Sequence, residues 1–124
     1  MSAPASVTCG SGPLAVTARA GFVGGDLVAV VTGGTSPHAG AVALAVPCAP
    51  TPEGTDCSAS VLCAPGHRDD IPARQLAMRL CKALRCTVSM TVGIHLDNAS
   101  ADDIRALLRH AESAVEGLEK ALKD

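Results

Sequence analysis

The chain has no tryptophan, no tyrosine and one phenylalanine, Phe22, among its 124 residues. Its core must therefore be built from Val, Leu, Ile, Ala and Met, and it has no aromatic platform on which nucleobases could stack. An excess of either charge is also missing, with ten Lys and Arg against twelve Asp and Glu. That balance leaves no electrostatic footprint for nucleic acid. The longest apolar runs, such as Leu27 to Val31 and Ala41 to Val46, fall far short of the ~20 residues that span a bilayer, so no membrane segment is expected. Met1 to Ser6 lacks a basic stretch leading into an apolar one, so no targeting segment is visible and the cytoplasm is the expected compartment. No CxxC, HxH or HExxH pair occurs, so no metal site is expected from spacing. No Ser or Cys sits in a GxSxG context either, so no nucleophile elbow is predicted.

What is present is 48% hydrophobic and 18% charged, a composition that folds. At this length the whole chain, 1–124, is expected to be one domain that buries a core without staples. Six cysteines, Cys9, Cys48, Cys57, Cys63, Cys81 and Cys86, are an even number, which in a secreted chain would suggest a disulfide framework. With no visible signal peptide they are expected to be ordinary thiols, with Cys63, Cys81 and Cys86 in the core. A Cys48–Cys57 disulfide is the alternative.

The first half carries strand patterns. Leu14, Val16, Ala18 and Ala20 alternate with Ala15, Thr17 and Arg19, and Gly24-Gly25-Asp26 turns the chain into the β-branched run Leu27–Thr32. Gly40–Val46 and Cys57–Cys63 follow as strands, separated by Pro47–Asp56, whose three prolines predict an exposed loop. The second half changes period. A helix is expected from Asp69 or Asp70, either of which can cap it, to about Leu84, burying Leu76, Ala77, Leu80 and Leu84. Cys86–Ile94 is a strand. Ser100 and Asp103 form a capping pattern before a last helix that buries Ile104, Leu107, Leu108, Ala111, Val115, Leu118 and Leu122. The order β-β-β-β-α-β-α predicts an α+β domain with a core of about 14–122. Five strands, mainly antiparallel, would carry both helices on one sheet face. The other face would be left bare, and a second copy could cover it, which predicts a homodimer.

Three loops hold the unusual polar residues. In Gly33-Gly34-Thr35-Ser36-Pro37-His38-Ala39-Gly40, backbone N–H groups could cradle a phosphate; the plain alternative is a Gly-rich turn with a solvated histidine. In Gly66-His67-Arg68-Asp69-Asp70, a helix N-terminus with two basic neighbours could favour an anion, although the aspartates are adequately explained as caps. In Gly93-Ile94-His95-Leu96-Asp97-Asn98, a strand delivers His95 and Asp97 in alternate positions, a possible base and its carboxylate; a structural histidine is the alternative, and Asn98 could cap the next helix. His110, on the last helix, is expected to be solvated or at an interface.

These segments resemble, in order, three of a small family of prenylated-flavin chaperone-like proteins. Gly33-Gly34 with Pro37-His38-Ala39-Gly40-Ala41-Val42-Ala43 is similar to its GG…PHIGAVA-type segment, Gly66-His67-Arg68-Asp69-Asp70 to its GHK-acidic-acidic segment, and Gly93–Ala99 to its GIHIDNAT-type segment, the most specific of the three. Ala39 stands where Ile is common and Arg68 where Lys is common. The family includes the small D subunit associated with UbiD-type hydroxyarylate (gallate and 4-hydroxybenzoate) decarboxylases, and its architecture is similar to that of proteasome assembly chaperones. The resemblance implies a non-catalytic protein that binds or delivers prenylated flavin mononucleotide to a partner decarboxylase. It carries over Gly34, His38, Gly40, His67, Arg68, Asp70, His95, Asp97 and Asn98 as cofactor-binding candidates. With almost no aromatic residues to stack on the flavin ring, carriage is expected to be transient. The competing readings are a protein-only assembly module, whose loops are turns and caps, and an enzyme acting through His95, Asp97 and His38.

Overall fold

A computed structural model describes residues 4–52, 54–66 and 68–123. Alternating and β-branched apolar segments form six strands: β1 (Ala5–Cys9), β2 (Val16–Val23), β3 (Asp26–Gly34), β4 (Ala41–Thr51), β5 (Gly54–Cys63) and β6 (Val88–His95). A single 3-10 turn, Gly12–Leu14, links the first two, and the helices are α1 (Asp70–Leu84) and α2 (Ala101–Lys123). The strands form one sheet in the order β1-β2-β3-β6-β4-β5. Only β3 and β6 pair in parallel, in register from Leu27↔Val88 to Gly34↔His95; the remaining neighbours are antiparallel. The architecture is the expected α+β, with one strand more than expected. That strand is β1, where Ala5, Val7 and Cys9 alternate with Ser6 and Thr8 and pair with β2.

Both helices lie on one sheet face. α1 packs on β4, β5 and β6, and α2 packs on β1 and β2. Between helices and sheet sit Val16, Val31, Val88, Met90 and Val92 from the strands and Leu80, Val115 and Leu118 from the helices, all fully buried. Burying each such side chain stabilises the fold by roughly 1.5–3 kcal/mol. The opposite face is bare: Val30, Val42, Leu44, Val46 and Leu62 are exposed there, and Arg19 on the same side is exposed too.

Four expectations are corrected. Pro47–Thr51 is strand, because β6 pairs only with Ala41–Ala45 of β4. Beyond Ala45, β4 has only β5 as a neighbour, and a proline's missing N–H is tolerated on such an edge, here with a register shift between Pro47 and Pro50. Ile104 and Leu108 are 50% and 40% exposed, because the gap between α1 and α2 leaves them facing a cleft. Cys63, at the end of edge strand β5, is exposed, whereas Cys57 is buried; none of the six cysteines is in a disulfide. His110 is half-buried, its Nδ1–H donating to the Leu14 carbonyl at 2.7 Å.

Candidate functional site

The parallel β3–β6 pair brings the ends of both strands to the same edge of the sheet, where β4 begins and α1 starts. Segments some thirty residues apart in sequence meet there because of four glycines. A Cβ on Gly93 would lie 1.5 Å from the His38 carbonyl oxygen, and one on Gly40 would lie 1.9 Å from Asp69 Oδ2. A Cβ on Gly34, which has φ +78°, would lie 2.0 Å from the His95 carbonyl oxygen, and one on Gly33 would lie 2.7 Å from that of Ala15. Side chains at these positions would hold the loops apart.

Asp69 is at the centre. It occupies the N-cap position of α1, yet its side chain makes no capping hydrogen bond. Instead Oδ1 accepts the backbone N–H of Ile94 at 3.2 Å, and Oδ2 meets His38 Nε2 at 3.1 Å. Only 6% of Asp69 is exposed. His38 Nδ1 lies 2.9 Å from the Ser36 carbonyl oxygen. Both ring nitrogens therefore face acceptors, and only the doubly protonated imidazole donates to both. Beside it, His95 Nε2 lies 2.8 Å from Asp97 Oδ1, in solvent-exposed surroundings. The two imidazole rings meet edge to face at 6.4 Å between centroids.

The backbone N–H groups at the start of the Gly-rich loop are already occupied. Gly34 N–H donates to the Ala15 carbonyl at 3.2 Å, and Thr35 and Ser36 N–H both donate to the His95 carbonyl, at 2.8 and 3.3 Å. These three groups brace the end of β6 and so are not available to a phosphate. Caps are also settled. Ser100 Oγ accepts Asp103 N–H and Asp103 Oδ2 accepts Ser100 N–H, both at 3.0 Å, the reciprocal box expected at the start of α2.

A cleft of about 380 Å³ opens next to this cluster, between the first turns of α1 and the N-terminal half of α2. Ile71, Leu76, Ile94, Leu96, Ile104, Leu107 and Leu108 give it an aliphatic lining, with Arg68, Asp69, Gln75, His95 and Glu112 as polar groups. Arg68 is 81% exposed and pairs with Asp70 at 3.4 Å. No group of three His, Cys, Asp or Glu among the described residues is arranged to hold a metal ion.

Of the candidate residues, Gly34, His38, Gly40, His95 and Asp97 are brought together. Arg68 and Asp70 form a separate surface pair, of which Arg68 lines the cleft. Asn98 sits in the turn after β6 with φ +56°, a backbone role that Asn tolerates well. His67 lies outside the described residues. Asp69 was the missed residue. Its signal was present, two adjacent aspartates at a helix start, but sequence cannot say which of them turns inward.

No curated protein matches the chain. Among solved structures, a chain from a chaperone complex for yeast 20S proteasome assembly is similar over 98% of this chain and 95% of its own, with a TM-score of 0.59 and 16% identity. At that identity the likeness is one of fold. No helix among the described residues is long and apolar enough to cross a membrane. Residues 10–123 match the prenylated flavin chaperone LpdD-like domain, and the chain belongs to that family.

Proposed function

We propose that this chain is a non-catalytic cytoplasmic carrier that binds prenylated flavin mononucleotide transiently and hands it to a UbiD-type hydroxyarylate decarboxylase. The observation that carries the reading is the aliphatic cleft of about 380 Å³ beside the His38–Asp69 and His95–Asp97 pairs. Small-molecule sites are concave, largely apolar and furnished with a few polar groups that fix orientation. The residues present fit such a ligand. Ile71, Ile104 and Leu108 would cover the prenylated ring system, His95 would offer it a hydrogen bond, and Arg68 would meet the phosphate. The bound flavin supplies the reactive heterocycle that the partner uses. This chain's part is to cover an apolar surface and keep water from it. Aliphatic contacts without ring stacking suit a cargo that must leave again.

The working unit in this reading is a homodimer, formed by two copies packing their bare sheet faces. Val30, Val42, Leu44, Val46 and Leu62 supply apolar area there, and the face is rich in Ser and Thr with little charge to repel a copy. Light scattering of Leu44→Asp is expected to give a monomer where the parent is a dimer; a monomeric parent removes this part of the proposal.

The test of carriage is a fluorescence titration with prenylated flavin mononucleotide, with plain flavin mononucleotide alongside, for the parent, Leu108→Asp and His95→Ala. Saturable binding of the prenylated form, weakened at least tenfold by Leu108→Asp, is the expected result. Failure of either flavin to bind at high micromolar concentration overturns the proposal and favours a protein-only assembly role.

A further inference from the structure

The bare face of the sheet is complementary to itself. Backbone pairing sets its residues in rows that run across the strands, and one row is Gly21–Val28–Ser89–Leu44–Ser60. Leu44 stands up from this row, 46% exposed. Gly21, which has no side chain, floors a notch of about 130 Å³ walled by Pro4, Arg19, Val28 and Val30, with room for one branched aliphatic side chain. The midline of the six-stranded sheet falls between β3 and β6. Gly21 on β2 and Leu44 on β4 lie at equal distances on either side of it.

We infer that two copies stack these faces about a twofold axis parallel to β3 and β6, with Leu44 of each copy seated in the Gly21 notch of the other; this rests on the homodimer proposed above. Such an axis keeps each row over itself and exchanges the two sides of the midline, so β2 of one copy lies on β4 of the other. The neighbouring rows agree. Val23 pairs with Asp26, which is level with Val46, so Val23 and Val46, 50% and 41% exposed, cover each other. Arg19, Val30, Thr91 and Val42 form the next row, which lays the aliphatic stem of Arg19 on Val42. An axis across the strands would instead put β4 on β4, with Val42, Leu44 and Val46 meeting their own copies and the notch left empty.

Area and charge both permit this stacking. Three rows about 6.8 Å apart, across six strands about 4.8 Å apart, cover roughly 600 Å² on each copy. The total of about 1,200 Å² reaches the lower end of specific interfaces. The two Arg19 side chains start three strand spacings apart, about 14 Å, which exceeds a Debye length in physiological salt. Near-aligned stacking is also the usual way for twisted sheets to pack. The cleft between α1 and α2 lies on the other side of the sheet, so the dimer leaves both clefts open and facing outward.

The test is sedimentation of the whole protein over a dilution series. Gly21→Leu fills the notch and Leu44→Ala removes the knob, and each should weaken the dimer about tenfold or more. The double variant Gly21→Leu/Leu44→Ala moves the knob to β2 and the notch to β4, and should recover to within about threefold of the parent. Circular dichroism checks that each variant folds. A second measurement leaves the notch untouched. In a Cys48→Ser background, Val23→Cys/Val46→Cys oxidised with copper–phenanthroline should give a covalent dimer on a non-reducing gel, and neither single substitution should. A dimeric parent without that crosslink, or without rescue in a folded double variant, overturns this pairing of rows and leaves the homodimer standing. A monomeric parent overturns both.

Discussion

Two histidine–carboxylate pairs lie side by side at one edge of the sheet and differ in nearly everything but chemistry. His38–Asp69 is enclosed, with side chains 23% and 8% exposed, and its carboxylate also holds the Ile94 N–H. His95–Asp97 is open, at 46% and 77%. The first bridges three chain segments, whereas the second joins two residues of one loop. Burial makes the first pair structural, because an unpaired carboxylate or N–H there would be costly, while water can replace either partner of the second. The enclosed pair fixes the shape of the site. The open pair puts His95 on the wall of the cleft, which Asp69 of the enclosed pair also lines.

The largest effect should come from breaking the enclosure itself. Gly93→Ala puts a methyl group 1.5 Å from a backbone oxygen of the His38 segment, and backbone cannot swing aside as a long side chain does. The expected loss is about 4 kcal/mol or more, read as a fall in the denaturant midpoint. A loss under about 1 kcal/mol would mean that the loop is not clamped against β6.

Asp69 comes next. Asp69→Ala removes the acceptor for both Ile94 N–H and His38, with an expected cost of about 2–4 kcal/mol. Asp69→Asn retains one oxygen for Ile94 and should cost less, about 1 kcal/mol. Equal losses for the two variants in urea unfolding would show that the backbone hydrogen bond contributes nothing and that only the pairing with His38 matters.

Much of this was legible in the sequence, and what was not has physical reasons. Period 2 located β2, β-branched runs located β3 and β6, and period 3.6 located both helices, because burial writes itself into composition and spacing. The insertion of β6 between β3 and β4 leaves no local trace, since it depends on which strand edges are free when the helices dock. Pro47 and Pro50 pointed to a loop because sequence does not reveal that β4 outruns β6. Ile104 and Leu108 had the spacing of core residues, but they line the cleft between the helices. The three polar loops were recognisable as segments, but their partnerships were not. Asp69 and Asp70 are neighbours of the same type, and a rotation of about 100° about the helix axis separates the one that braces the site from the one that pairs with Arg68 at the surface.

The smallest effect on stability should come from Asp97→Ala, and it sharpens the contrast most. An exposed pair contributes little, so unfolding should shift by no more than about 0.5 kcal/mol. What the carboxylate does is keep a proton on His95 Nε2, through the 2.8 Å contact, so that in the neutral ring Nδ1 is the acceptor. Imidazole nitrogen NMR of the parent should report that single neutral tautomer for His95, and Asp97→Ala should report a mixture. If the variant instead unfolds as readily as Asp69→Ala, the open pair braces the loop as the enclosed pair does, and the division of labour between them fails.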